Sequence, residues 1–215
     1  MLFTDFSKTL IVDATASVLK IALCQDCKVI ATSTTNGQAM ECFFQALSEV
    51  CANCNLTDIE AIALCTGTGS ILGTRTASVG IATIAKFSKA KIFEYNCMEV
   101  ASHAIALMQK EKFSLFTPSR KGFVNILNFN TKIELLKEIK IDEIQTLAFD
   151  KKILLKQRNK IDLTFADFEI YNLDESTTAD VLKQYPQLAT ICHDTPDAKP
   201  LTEREYVKWK AQAHI

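Results

Sequence analysis

Residues 67–75 read Gly-Thr-Gly-Ser-Ile-Leu-Gly-Thr-Arg, a glycine-bearing turn between an apolar strand-like run and a helix-like segment. Backbone N–H groups at such a strand-to-helix junction can bind an anion. The segment is not a Walker A loop, because its outer glycines are one residue too far apart and no lysine follows them. It matches a looser dinucleotide fingerprint, with Glu94 about where an acid would bind the ribose. The residues alone leave two interpretations open, a structural turn and a phosphate site.

The segments around this loop alternate between strands and helices. Apolar runs rich in β-branched residues, separated by short turns, predict three antiparallel strands at the start of the chain. Apolar residues at three- and four-residue spacing predict amphipathic helices before and after the loop. The predicted order is β-β-β-α-β-α-β-α, which implies an α/β fold whose mixed sheet has an antiparallel start. The predicted strands cover 9–12, 18–24, 29–32, 59–65 and 92–93, and the predicted helices cover 38–54, 74–88 and 98–110.

The two halves of the chain differ in charge density. Residues 1–110 carry 8 basic and 9 acidic residues, whereas residues 111–215 carry 16 of each. We therefore expect a more apolar N-terminal lobe over 1–110 and a smaller, more solvated α/β lobe over 111–215. In the second lobe, the sequence predicts a strand over 122–129 and a short helix capped by Ser176.

Composition and charge exclude several classes of protein. The formal net charge is −1, and only 4 of the 24 basic residues are arginine, so we expect no nucleic-acid binding by the chain alone. No run of 18 apolar residues occurs, and the first residues lack the charged start and cleavage site of a secretory signal. We expect a cytoplasmic protein without membrane association, whose 8 cysteines are reduced thiols.

Two CxxC pairs have the look of a zinc site. Cys24 and Cys27 form one pair, and Cys51 and Cys54 form the other. However, Cys24 ends an apolar strand and Cys51 lies on the apolar face of a predicted helix, positions that are typical of buried thiols. Structural core is the favoured interpretation, and a zinc-stapled binding module stays an alternative.

Asp13 follows the first predicted strand and begins the turn Asp-Ala-Thr-Ala-Ser. Actin-like ATPases place a magnesium-linked acid at this point, but they also need a glycine in the turn so that the phosphate can approach. This turn contains no glycine. Asp13 therefore has two interpretations, a turn-forming side chain and the vestigial acid of a nucleotide site.

Together, the element order, the Asp13 turn and the glycine loop resemble the TsaB (YeaZ) family, the non-catalytic partner in bacterial tRNA threonylcarbamoyladenosine synthesis. The family loop reads Gly-Pro-Gly-Ser-Phe-Thr-Gly-Leu-Arg. This chain keeps the three glycines, the serine and the arginine, while Thr68 and Ile71 stand where the family has proline and phenylalanine. Counted on without a gap, the glutamate of the family's Ser-Leu-Glu falls on Glu99. The motif positions are Gly67, Gly69, Ser70, Gly73, Arg75 and Glu99. If the resemblance holds, we expect Arg75 and Glu99 to orient the loop and the third predicted helix.

The resemblance covers about residues 8–129 and implies both a fold and a role. The implied fold is the actin-like (ASKHA) duplication of a ribonuclease H-like unit, with a smaller and degenerate second copy. The implied role is a scaffold that pairs with the catalytic subunit TsaD, is joined by the ATPase TsaE, and meets tRNA only through the complex. ATP and metal are then expected on the partner subunits and not on this chain.

The resemblance also implies that helices of the N-terminal lobe form a four-helix interface, with TsaD or, alternatively, in a homodimer. A stripe of large apolar residues on the first predicted helix and a flat face of small residues on the second suit such close packing. Since one helix should also cover the sheet, we expect about half of these positions to face a partner. The predicted interface residues are Met40, Phe43, Phe44, Leu47, Val50, Ala77, Gly80, Ile81 and Ile84.

An enzymatic alternative stays beside the scaffold hypothesis. It makes the chain either a nucleotide-using member of the actin-like group or a dinucleotide-binding oxidoreductase. In both forms the nucleotide would be bound by the glycine loop, that is by Gly67, Gly69 and Gly73, with Glu94 at the ribose in the second form. Saturable nucleotide binding separates this hypothesis from a scaffold without chemistry of its own.

Overall fold

A computed structural model describes residues 1–35, 39–130, 132–134, 136–146, 149, 151–156 and 167–193. The strands are β1 (Lys8–Asp13), β2 (Leu19–Gln25), β3 (Lys28–Thr35), β4 (Ala61–Cys65), β5 (Lys91–Tyr95), β6 (Phe113–Pro118), β7 (Phe123–Asn130), β8 (Lys132–Ile133), β9 (Lys137–Lys140), β10 (Lys152–Leu155), β11 (Glu169–Tyr171) and β12 (Thr190–Cys192). The helices are α1 (Ala39–Val50), α2 (Ile71–Ser88), α3 (Cys97–Met108), α4 (Glu143–Thr146) and α5 (Glu175–Gln184).

The first sheet has the strand order β12-β5-β4-β1-β2-β3. Strands β1, β2 and β3 are antiparallel neighbours, whereas β4 runs parallel to β1 and β5 parallel to β4. Strands β1 and β4 lie in the middle, and their continuous apolar runs are buried on both faces. Leu10 and Val12 face α1 and α2, while Ile11 faces the opposite layer. The predicted order of strands and helices is confirmed.

The second sheet repeats the strand directions of the first. Strand β6 pairs antiparallel with β7, which pairs antiparallel with β8 and β9; β10 runs parallel to β6, and β11 parallel to β10. Where the first unit has the 12-residue α1, the second has the 4-residue α4. The predicted duplicated α/β fold with a smaller second copy is confirmed.

The end of the described chain returns to the first sheet. Strand β12 pairs with β5, and α5 packs against α3 and β3. The predicted division at residue 110 falls between α3 and β6, but residues of the second half complete the first sheet and its core. The division into lobes over 1–110 and 111–215 therefore stays a prediction about folding units.

Within the described ranges, no helix has the length and hydrophobicity needed to cross a bilayer.

Two buried layers position the loop that follows β4. One layer lies between the first sheet and α1 and α2, and the other lies between the two sheets and contains α3 and α5. The side chains that β4 turns towards α3 are small (Ala61, Ala63 and Cys65), which lets this helix approach the sheet closely. Side-chain caps fix the helix starts: Ser70 caps α2, and Asp174, rather than the predicted Ser176, caps α5.

Candidate functional site

The glycine loop joins the end of β4 to the start of α2 and is bonded to the turn after β1. The Ser70 N–H donates to the carbonyl of Thr15 at 2.8 Å. The Ser70 hydroxyl accepts from the Gly73 N–H at 3.1 Å, which caps the first turn of α2. The structure thus brings together two predicted motifs, the Asp13 turn and the glycine loop.

Each glycine of the loop lies where a side chain would collide with a neighbouring segment. A Cβ at Gly69, whose φ is +146°, would lie 2.2 Å from the carbonyl oxygen of Thr15. A Cβ at Gly73 would lie 2.3 Å from the carbonyl oxygen of Ala14. At Gly67 it would lie 2.9 Å from the backbone nitrogen of Cys97, at the start of α3. The three glycines are therefore explained by close backbone packing.

This packing occupies two of the N–H groups that a phosphate could use. The N–H groups of Ser70 and Gly73 are already bonded, and the carbonyl oxygens of Ala14 and Thr15 lie against the loop. A phosphate beside these carbonyls would meet their partial negative charge, and the N–H groups of Ser70 and Gly73 would not be free to bind it. Glu94 accepts a long hydrogen bond from the Thr66 hydroxyl at 3.5 Å. The geometry favours the structural turn over the dinucleotide site.

Asp13 organises its own turn. Its Oδ1 accepts from the N–H of Thr15 at 2.8 Å and from the Thr15 hydroxyl at 2.6 Å, the pattern of an Asx turn. The cavity beside it, shared with Lys20, Tyr95 and Glu175, has a volume of about 10 Å³. A space of this size is about that of one water molecule. The interpretation of Asp13 as the vestigial acid of a nucleotide site stays a prediction.

The two charged residues of the motif lie on different helices. Arg75 is exposed on α2, and Glu99 is partly buried in the first turn of α3. Burial raises the pKa of the Glu99 carboxyl, and the nearby His103 opposes this rise. His103 lies one turn further along, with its Nδ1 2.9 Å from the carbonyl oxygen of Glu99. The predicted roles of Arg75 and Glu99 in orienting the loop and α3 stay predictions.

Most of the predicted partner residues face inwards and are reassigned to the core. The apolar faces that the sequence pattern predicts on α1 and α2 cover the first sheet. They bury the apolar side chains that the sheet turns towards these two helices. A Cβ at Gly80 would lie 2.3 Å from Cε1 of Phe43, so glycine here lets the two helices approach each other. Phe44 is exposed, and the side chain of Met40 lies outside the described residues. The buried residues are Phe43, Leu47, Val50, Ala77, Gly80, Ile81 and Ile84.

The two CxxC pairs lie on different sides of the first sheet. Cys24 belongs to the layer between the sheets, and Cys51 belongs to the layer under α1 and α2. Burial raises the pKa of Cys24 to about 12 and that of Cys51 to about 11, so both stay protonated at neutral pH. Among the described residues, no group of three or more His, Cys, Asp or Glu side chains could hold a metal ion. The pairs do not form one site.

Two solved structures from Pseudomonas aeruginosa resemble this chain. YeaZ is 11% identical, with a TM-score of 0.62 over 84% of this chain and 92% of its own. This chain has the YeaZ fold. A second structure, of a protein described as similar to the peptidase YeaZ, is 11% identical, with a TM-score of 0.61 over 84% of this chain and 91% of its own. No family model and no curated protein sequence matches this chain.

On this YeaZ fold, α2 also carries apolar residues on the side that faces solvent. Leu72, Val79 and Phe87 are 63%, 66% and 75% exposed. They are seven and eight residues apart, about two helical turns each, so they share one side of the helix. Phe44 of α1 is 62% exposed, and its ring meets that of Phe43 beside Gly80. We call Phe44, Leu72, Val79 and Phe87 the outer face.

Sequence reasoning missed most of the outer face. The sequence contains a pattern that marks it, because α2 has apolar residues at helical spacing on two sides. One side is the small-residue stripe, and the other is a stripe through Leu72, Val79 and Phe87. The small residues suggested a protein interface, and in the structure they form one with α1 of the same chain. The large exposed residues are the ones that the described part of the chain leaves uncovered.

Proposed function

We propose that this chain is a non-catalytic scaffold subunit that pairs, through the outer face, with a TsaD-like carbamoyltransferase for threonylcarbamoyladenosine modification of tRNA. The observation that carries the proposal is the exposure of four large apolar side chains on adjacent helices. The YeaZ fold and the loop motif supply the identity of the partner, by resemblance. The packed glycine loop supports a role without nucleotide chemistry.

The chemistry of the outer face defines the partner surface that fits it. Arg75 and Lys86 are exposed on the same helix, and α2 contains no acidic residue. The complementary surface is therefore an apolar helix face with carboxylates at its rim. Burying an exposed side chain such as Phe87 contributes about 1.5–3 kcal/mol, so a few such anchors suffice for a stable pair.

The other subunits supply the chemistry in this proposal. ATP and metal belong to the TsaD-like subunit and to a TsaE-like ATPase, and tRNA is bound only by the complex. The chain works in the cytoplasm, where tRNA is modified. Before the partner binds, two copies of the chain can cover their outer faces as a homodimer, which the partner then displaces.

The test is co-expression with the TsaD-like protein of the same organism, followed by size-exclusion chromatography with light scattering. We expect a 1:1 complex, and we expect the 23.9 kDa chain alone to elute as a monomer or a homodimer. Val79→Asp together with Phe87→Asp should prevent the complex. Leu107→Asp is the matched control and should leave the complex intact, because Leu107 is 52% exposed but lies on α3. Failure of the wild-type pair to form a complex would overturn the proposal.

A further inference from the structure

A series of buried polar groups joins the glycine loop to the second sheet. Thr117, near the end of β6, donates from its hydroxyl to Thr68 Oγ1 at 3.1 Å. Asn125, its cross-strand partner on β7, donates from Nδ2 to Thr117 Oγ1 at 3.4 Å. Thr68 Oγ1 lies 3.9 Å from the Sγ of Cys97, the first residue of α3. The series therefore connects β7, β6, the loop and α3.

The interior position of these groups makes their hydrogen bonds important. Thr117 is fully buried, and Thr68 and Asn125 are 4% exposed. The Thr117 hydroxyl also lies 3.3 Å from the sulfur of Met98, but a thioether is a weak acceptor, so the better acceptor for its one proton is Thr68. A buried hydroxyl that loses its partner regains no bond to water. Each group is therefore stabilised only while the others stay in place.

We propose that Thr68 is a positioning residue that holds the glycine loop, and with it the first turn of α2, against the second sheet. The loop's bond from Ser70 to Thr15 attaches it to the turn after β1. The bond from Thr117 to Thr68 adds an independent attachment to a different sheet. Because Leu72 lies in the first turn of α2, this attachment also fixes one end of the outer face. Only this last consequence rests on the proposed function.

A double-mutant cycle measures the bond directly. Thr68→Val and Thr117→Val keep the shape of each side chain and remove its hydroxyl. We expect each single variant to lower the folding equilibrium constant about tenfold, somewhat more for Thr117→Val because it also removes the acceptor of Asn125, and the double variant to lower it about as much as Thr117→Val alone. Urea unfolding gives the three values. Additive effects, about a hundredfold for the double variant, would overturn the proposed bond.

Hydrogen exchange of single amides distinguishes positioning from a general loss of stability. In Thr68→Val, we expect the N–H groups of Ser70 and Gly73 to exchange about tenfold faster relative to the sheet amide of Leu64 than in the wild type. Thr68→Ser keeps the hydroxyl and should restore wild-type exchange in the loop. Equal acceleration at the loop and in the sheet would overturn the positioning role.

Ser102→Ala is the control for removing a buried hydroxyl. The Ser102 hydroxyl is buried in α3 and has no hydrogen-bond partner within the described part of the chain. This variant should leave the ratio of loop exchange to sheet exchange unchanged, and a changed ratio would overturn the specific role of Thr68. If the wild-type chain forms no complex, the proposed function fails, while the exchange ratio still decides the role of Thr68.

Discussion

The glycine loop and the outer face of α2 lie next to each other but differ in what covers them. The loop has the pattern of a ligand site, yet the backbone of Ala14 and Thr15 packs closely against its glycines. On α2 the outer face begins within one helical turn of the loop, and its residues Leu72, Val79 and Phe87 are exposed although they belong to no motif. The motif is thus satisfied within the chain, and the apolar surface beside it is not.

In the proposed function, this difference places the binding surface beside the motif and not within it. A loop fixed by its own chain cannot bind a phosphate without opening, but it can hold the start of a helix in one position. An exposed apolar stripe gains free energy only when a second molecule covers it. In the proposed function, the glycine motif supports the helix that carries most of the outer face.

The largest effects should come from adding side chains to the loop. Gly69→Ala combines an unfavourable φ of +146° with a collision against Thr15 and should lower the free energy of unfolding by about 3 kcal/mol or more. Gly73→Ala, which carries only the collision with Ala14, should cost about 2 kcal/mol. Urea midpoints with unchanged m-values give both numbers.

Gly122 provides the matched control for the loop glycines. Its φ is +82°, but a Cβ there would meet nothing within 4 Å. Gly122→Ala should therefore cost only the conformational strain, about 1 kcal/mol. If the loop variants were no less stable than Gly122→Ala, the loop would not be closely packed, and the contrast with the outer face would fail.

The next largest effects should appear in binding and leave the fold intact. Val79→Asp together with Phe87→Asp places one charge near the middle of α2 and one near its end, both on the outer face, and should weaken the TsaD-like complex at least about a hundredfold. Both residues are exposed, so the free energy of unfolding should change by less than about 1 kcal/mol. Calorimetric titration against the partner and urea unfolding measure the two quantities.

The buried side of α2 supplies the reverse pattern. Ile81 is fully buried, so Ile81→Asp should unfold the chain instead of producing a folded protein that does not bind. A folded Ile81→Asp variant with impaired binding would mean that the small-residue stripe of α2, and not the outer face, contacts the partner.

A smaller effect concerns the stability of the chain as a function of pH. Burial raises the pKa of Glu99 above its ordinary 4.5, so the folded chain keeps this proton to a higher pH than the unfolded chain does. The stability from this group is present below about pH 4.5 and is lost as the pH rises through the higher folded-state pKa. Glu99→Gln should flatten the decrease above pH 4.5, which thermal unfolding across pH would show; an unchanged profile would contradict it.

The smallest expected effect is that of nucleotide on the wild-type chain. Because the backbone of Ala14 and Thr15 packs against the loop, ATP or NAD at 1 mM should not shift the melting temperature measurably. A site with a dissociation constant of about 10 μM would add about 2.7 kcal/mol at this concentration, which is several degrees for a chain of this size. Such a shift would mean that the loop opens and would favour the enzymatic hypothesis.

The sequence predicted the fold better than the surface, for physical reasons. Buried β-strands such as β1 and β4 are continuous apolar runs, which can be recognised locally. The return of β12 to β5 joins segments about a hundred residues apart, and no local pattern contains it. The orientation of α2 depends on the fit of Phe43 against Gly80, a long-range contact. Two apolar stripes on one helix therefore did not reveal which one faces solvent.

The sequence identified the residues of the candidate site but not how they are arranged in space. The motif identified Gly69 and Gly73, and their spacing suits both a phosphate loop and a packed turn. The close approach of Ala14 and Thr15, more than fifty residues earlier in the chain, decides between the two. The role of Thr68 depends on Thr117 in the second sheet, which sequence alone does not place beside it.

The most direct test is reconstitution of tRNA modification from purified proteins. The TsaD-like and TsaE-like proteins of the same organism would be supplied with tRNA, ATP and the threonylcarbamoyl donor, and modified adenosine would be measured by mass spectrometry. The scaffold proposal predicts product with the wild-type chain, little without it, and little with Val79→Asp/Phe87→Asp. Equal product with and without the chain, or full activity of that folded variant, would contradict it.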